Sequence, residues 1–260
     1  MLRRTAPRRL QLESLETRRL MAGNVKVSAS GSDLVVEGDD LRNAVEIRQS
    51  SPGFYKITGT TIGGADTKIN NKPNGMFIFR GEVNNLRISL GGGDDKLDVG
   101  ISDRKEISIR GNLVINGGAG SDWTSIHDVK VGKDLTVNTG TGARDHTFMT
   151  GVTVGDDLIV SDPVKVNTGD WDEVHVSAVT VKDQMEFTFR GGNDSVEILS
   201  SAADGIYASL GEGDDLFRML YTKHKSKFDI SGGGGKDTFI APMFNKTRYF
   251  GSGFETVRNT

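Results

Sequence analysis

A glycine-rich turn that ends in aspartate and runs directly into an alternating apolar strand recurs seven times between residues 88 and 240. The clearest copies are "LGGGDDKLDV" (90–99), "INGGAGSDWTSI" (115–126), "LGEGDDLFRM" (210–219) and "SGGGGKDTFI" (231–240). Looser ones are "NTGTGARDHTFM" (138–149), "NTGDWDEVHV" (167–176) and "RGGNDSVEI" (190–198). Their aspartates, Asp95, Asp122, Asp145, Asp172, Asp194, Asp215 and Asp237, are separated by 27, 23, 27, 22, 21 and 22 residues, a period of about 22 with two longer coils. Self-similarity at such a period is the signature of a stacked repeat architecture and constrains the fold before any local propensity is read.

After each aspartate the second and fourth residues are usually apolar: Leu97 and Val99, Val174 and Val176, Val196 and Ile198, Phe217 and Met219. Period two marks a strand with one buried face. Further alternating pairs lie between the turns, among them Val129 and Val131, Leu135 and Val137, and Leu158 and Val160. Three short strands and their bends fill one repeat, the length of one rung of a parallel β-solenoid. A β-sandwich of hairpins also uses glycine turns, but the constant offset from turn to strand, without the two-strand spacing of hairpins, favours the solenoid. The expected fold is therefore all-β, a parallel β-solenoid (β-helix) with rungs of about 22 residues.

Three segments follow. Residues 1–23 are a basic leader, 24–85 an N-terminal β cap or irregular first rungs, and 86–260 the repeat domain closed by the aromatic stretch "RYFGSGFETV" (248–257). Open ends of stacked sheets need such covers. Hydrophobic content of 35% with 34 glycines suits thin, turn-rich β structure. The absence of cysteine excludes disulfides and makes structural zinc improbable. No apolar run approaches the roughly 20 residues of a membrane-spanning helix.

Of the 35 acidic residues 24 are aspartate, so the acidity is concentrated in turns rather than helices. Glycine at positive φ and aspartate in an Asx turn make a tight corner with no ligand at all. A column of seven carboxylates about 5 Å apart is different, because each neighbouring pair repels by on the order of 1 kcal/mol even at solvent-like dielectric. A cation between rungs removes that cost, and calcium accepts carboxylate and backbone oxygens in flexible geometry. The candidate metal residues are Asp94, Asp95, Asp122, Asp145, Asp172, Asp194, Asp214, Asp215 and Asp237, with the doublets Asp94–Asp95 and Asp214–Asp215 carrying the most charge. Arg144, Lys236 and Trp171 stand where they would neutralise or screen particular rungs.

The turns resemble the RTX (hemolysin-type calcium-binding) nonapeptide, Gly-Gly-Xaa-Gly-Xaa-Asp before an apolar strand, most closely in "GGAGSDWTS" (117–125). RTX arrays repeat every nine residues, whereas this chain places one such turn in each rung. The opening "LQLESLETRRLMAGN" (10–24) resembles the LEPR-XLL segment of planctomycete surface and secreted proteins, through Leu15, Glu16, Arg18 and Leu20, with threonine in place of the proline. That resemblance implies export or surface display, hence an extracellular or cell-surface location.

An enzyme is the competing class, since long β-helices often act on polysaccharides. The densest acidic group is Asp170, Asp172 and Glu173 around Trp171, but adjacent rungs supply the carboxylate spacing of a glycosidase almost anywhere. His127, His146 and His175 sit five, one and three residues after their aspartates, which predicts different columns and no convergence. Neither a nucleophile elbow nor a phosphate loop occurs. The basic cluster "KHKSK" (223–227) is expected to widen a loop opposite the turns. The expected function is non-enzymatic: an exported structural or adhesive surface module, calcium-binding at its corners, with a surface polysaccharide or other cell-surface proteins as partners and no nucleic acid. The alternative is a carbohydrate-active β-helix, a polysaccharide lyase or glycoside hydrolase.

Overall fold

A computed structural model of the 260-residue chain describes residues 23–100, 106–142, 144–162, 171–225, 228–241 and 250–259. The leader before residue 23, Asp170, and the ends of the two longer coils (101–105 and 163–170) lie outside these residues. The chain winds as a parallel β-solenoid. Two 11-stranded sheets and one six-stranded sheet form its faces, and each of the six strands in the third face belongs to one complete coil.

The coil around residues 113–131 shows the pattern: Leu113–Asn116 on the first face, Trp123–His127 on the second and Val129–Val131 on the third. Each strand pairs in parallel with its equivalent one rung on, so Leu113 faces Leu135, Trp123 faces His146 and Lys130 faces Thr153. Like residues therefore stack in columns. Leu34, Leu86, Leu113, Leu135 and Leu158 form one inward column, and all are buried. At about 25 cal/mol per Å2 of apolar surface, each such side chain contributes roughly 1.5 to 3 kcal/mol. The strand residues expected to point inward, Leu97, Val99, Val174, Val176, Val196, Ile198, Phe217 and Met219, all do so. Thr124 and Thr147 occupy the same inward column and are buried despite being polar.

Two of the hairpins of the N-terminal region are fused to the stack. Asn24–Ser30 pairs antiparallel with Asp33–Glu37, and Ala44–Ser51 with Phe54–Gly59. The inner strand of each hairpin already joins the parallel register, Leu34 facing Leu86 and Val45 facing Leu97. At the other end Phe250–Ser252 and Phe254–Asn259 continue the first two faces in parallel, so this aromatic stretch extends the stack as well as ending it. Lys223 and His224 form a strand of the third face rather than a widened loop; residues 226–227 lie outside the described set.

The corner between second and third faces uses one left-handed residue per rung. These are Gly100 (φ 77°), Asp128 (51°), Gly151 (67°), Ala178 (52°), Ser200 (49°) and Tyr221 (54°). Only two of the six are glycine, so the stack holds four side chains in a conformation costing roughly 1 to 2 kcal/mol each.

Candidate functional site

At the corner between first and second faces, the seven predicted aspartates form one column, and it is buried. Asp95, Asp122, Asp145, Asp172, Asp194, Asp215 and Asp237 are between 0% and 3% exposed. The carboxylate ladder at these glycine-rich turns is thus an interior one. The reason is the turn itself, which folds over its own aspartate: a Cβ on Gly232 would sit 2.6 Å from Asp237 Oδ2, and one on Gly117 2.8 Å from Asp122 Oδ2.

Each Oδ1 accepts the backbone N–H of the aspartate one rung earlier. Asp95 N–H donates to Asp122 (2.9 Å), Asp122 to Asp145 (2.7 Å), Asp145 to Asp172 (3.1 Å), Asp172 to Asp194 (2.8 Å), Asp194 to Asp215 (2.7 Å) and Asp215 to Asp237 (2.9 Å). Asn43 opens the ladder by donating to Asp95, and Glu255 closes it by accepting from Asp237. The carboxylate supplies an acceptor at the bend, where the strand ladder has none to offer.

The second oxygen is another matter. Asp95, Asp122, Asp215 and Asp237 each hold Oδ2 buried with no hydrogen-bond partner. Burial pushes the Asp95 carboxyl up to about 8, Asp215 up to about 7 and Asp122 up to about 6, and raises Asp237. Neighbouring carboxylates add to the rise, while the N–H donors oppose it. An ionised buried carboxylate with an idle oxygen is costly, so the column calls for protons or cations.

Asp94 and Asp214 lie outside the column. Asp94 Oδ1 accepts from Ser121 N–H (3.2 Å) and its Oδ2 pairs with Arg42, while Asp214 Oδ1 accepts from Lys236 N–H (2.9 Å). They serve a second, exposed set of rung-to-rung bonds. Turn carbonyls are likewise occupied, Gly91 O by Ala119 N–H and Gly211 O by Gly234 N–H. Among the described residues no three carboxylate or imidazole groups converge as a metal cluster. A cation at these corners would draw on a column Oδ2 and the remaining lone pairs of turn carbonyls, a ligand set within calcium's tolerance.

Two features escaped the sequence reading. Another ladder runs at the corner entering the first face, through Asp33, Asn85, Asn112, Asp134 and Asp157. There the later residue's N–H donates back to the earlier side chain, ending with Gln184 N–H to Asp157. Its signal was present in the residue before or beginning each first-face strand. On the outer side of the second face, His146 Nδ1 meets Glu173 (2.9 Å), Glu173 meets His175 Nε2 (2.7 Å), and His175 Nδ1 meets Glu197 (2.9 Å), which pairs with Arg218. His146 and His175 thus converge through Glu173, contrary to the offset argument, because the two outward positions of one strand are close enough for one glutamate to span. Trp123 stacks on Phe148 (4.7 Å) and Phe148 on His175 (4.9 Å). Arg144 lies over Trp171. Of the acidic group once considered for catalysis, Asp172 points into the column and Glu173 out to the histidines.

Residues 7–25 match the family model described as Planctomycete extracellular. On that match the chain is an extracellular protein. Nothing matches among curated proteins, and nothing among solved structures. No helix among the described residues is long and apolar enough to cross a membrane.

Proposed function

We propose that the chain is an exported structural rod whose task is cohesion along its axis, and that calcium at some glycine-aspartate corners stiffens it. The observation carrying this reading is the use of polar side chains: the aspartate column, the Asn/Asp ladder and the His/Glu chain all bond rung to rung. The likeness of the corners to RTX repeats and of the opening segment to LEPR-XLL fits the same reading. Adhesion would fall to the outer strip of Trp123, Phe148 and His175, where Trp123 is 40% exposed and an aromatic face is available to a polysaccharide.

Protons and calcium are alternative ways to neutralise the column. Calorimetric titration of calcium into metal-stripped protein near pH 7 tests the proposal. Binding should release protons from the raised carboxyls, so that the measured heat depends on the ionisation enthalpy of the buffer. Heat independent of calcium, with no change in melting temperature against chelator, would remove calcium from the account.

A further inference from the structure

We infer that the chain pairs with a second copy of itself through the open edge of strand Met76–Arg80, on a two-fold axis through Ile78. The inference is independent of calcium. This strand ends the second 11-stranded sheet, bonded antiparallel to Phe54–Gly59 on one side. No described strand lies on the other side.

Its sequence, MFIFR, has no charge in the first four residues. Exposed edge strands of soluble proteins are normally blunted by charge, proline or a bulge, because a flat apolar edge recruits another strand. Here Met76 is 52% and Ile78 43% exposed on one face, while Phe77 and Phe79 pack against the core on the other.

The register selects the occupant. Gly81 N–H donates to Gly53 O (2.8 Å), and Phe54 faces Arg80. Antiparallel pairs alternate between bonded and non-bonded, so Phe77 and Phe79 bond inward to Tyr55–Ile57, and the N–H and C=O of Met76, Ile78 and Arg80 face outward. These three residues are symmetric about Ile78. A second copy related by a two-fold axis there meets every outward donor with an outward acceptor. It sets Ile78 against Ile78, Phe77 against Phe79 and Met76 against Arg80, so the strand's one charge never faces its own copy. Such a self-complementary patch is what an isologous dimer requires. Two five-residue strands fall well short of the roughly 1,600 Å2 of a standard complex, so pairing depends on concentration and is strengthened where copies crowd on a surface.

The chain contains no cysteine, which allows a direct test on the full-length protein. Bonded antiparallel partners lie about 5.5 Å apart at Cα, within the range a disulfide spans. I78C should therefore oxidise to a covalent dimer at least about tenfold faster than the exposed control K130C, because prior pairing raises the effective thiol concentration. In sedimentation velocity the wild type should shift toward dimer as concentration rises, and I78K, which sets two like charges on the axis, should stay monomeric with unchanged circular dichroism and melting. Equal oxidation rates for I78C and K130C, or a wild type monomeric at every concentration, as expected if residues 1–22 of the same chain cover this edge, would overturn the inference.

Discussion

The backbone N–H of Asp215 donates to Oδ1 of Asp237, 22 residues later and one rung along the axis, at 2.9 Å. The same bond repeats down the column, so each aspartate is at once a corner of its own rung and an acceptor for the previous one. Its other oxygen is idle at Asp95, Asp122, Asp215 and Asp237. That combination of one indispensable oxygen and one costly oxygen generates most of the expected behaviour.

Stability should fall as pH rises. An ordinary aspartate titrates near 3.9, whereas Asp122, Asp215 and Asp95 are raised to about 6, 7 and 8. Between these limits the folded chain holds more protons than the unfolded one, so unfolding free energy decreases with pH. Metal-stripped protein should melt higher at pH 5 than at pH 8, and calcium should raise the melting temperature more at pH 8. A melting temperature that rises from pH 5 to pH 8 in chelator would contradict the buried column.

Asp215→Asn and Asp215→Ala should differ by the worth of the bond from Asp194 N–H. Asparagine keeps the acceptor for Asp194 N–H and exchanges the idle oxygen for a donor, so it should stabilise the stripped protein at pH 8, by an amount bounded by about 4 kcal/mol from the raised carboxyl. Alanine gives the same relief but leaves Asp194 N–H buried without its acceptor, so it should be about 1 to 3 kcal/mol less stable than the asparagine variant at either pH. Urea unfolding at both pH values measures the pair.

The two side-chain ladders should differ in worth. Asn112 Oδ1 accepts Asp134 N–H (3.2 Å) at a half-buried corner. Water replaces that acceptor when it is lost, so Asn112→Ala should cost no more than about 1 kcal/mol. A loss equal to the difference between Asp215→Asn and Asp215→Ala would mean the second ladder is as deeply buried as the first.

Glycine in the turns is required by contact, not only by conformation. A Cβ at Gly213 (φ 139°) would overlap Gly192 O of the rung before, whereas one at Gly31 (φ 60°) would meet nothing. Gly31→Ala should cost about 1 kcal/mol of left-handed strain, and Gly213→Ala at least about 3 kcal/mol through rung separation. Thermal melting of the two variants side by side gives the comparison.

The repeat was legible because its parts act locally. Aspartate at a near-constant spacing, followed by apolar residues at the second and fourth positions, has one economical solution, a coil that stacks on itself. From Leu97 and Val99 to Phe217 and Met219 the inward positions follow from period two. Thr124 and Thr147 did not, since a buried threonine looks like an outward one when read by polarity. The convergence of His146 and His175 on Glu173 was hidden for a similar reason. Offsets along a strand do not measure reach across rungs.

The amino-acid sequence by itself determined the coil, its period, its inward face and the alignment of seven aspartates, because turn chemistry and strand alternation are decided by residues near one another in the chain. Only the tertiary structure decided that the aspartate column is buried, that Asp128, Ala178, Ser200 and Tyr221 bend left-handed, and that strand Met76–Arg80 ends a sheet with an apolar edge that no other described strand covers. Each of these depends on what the neighbouring rung or hairpin covers, and burial is a property of the stack rather than of any one repeat.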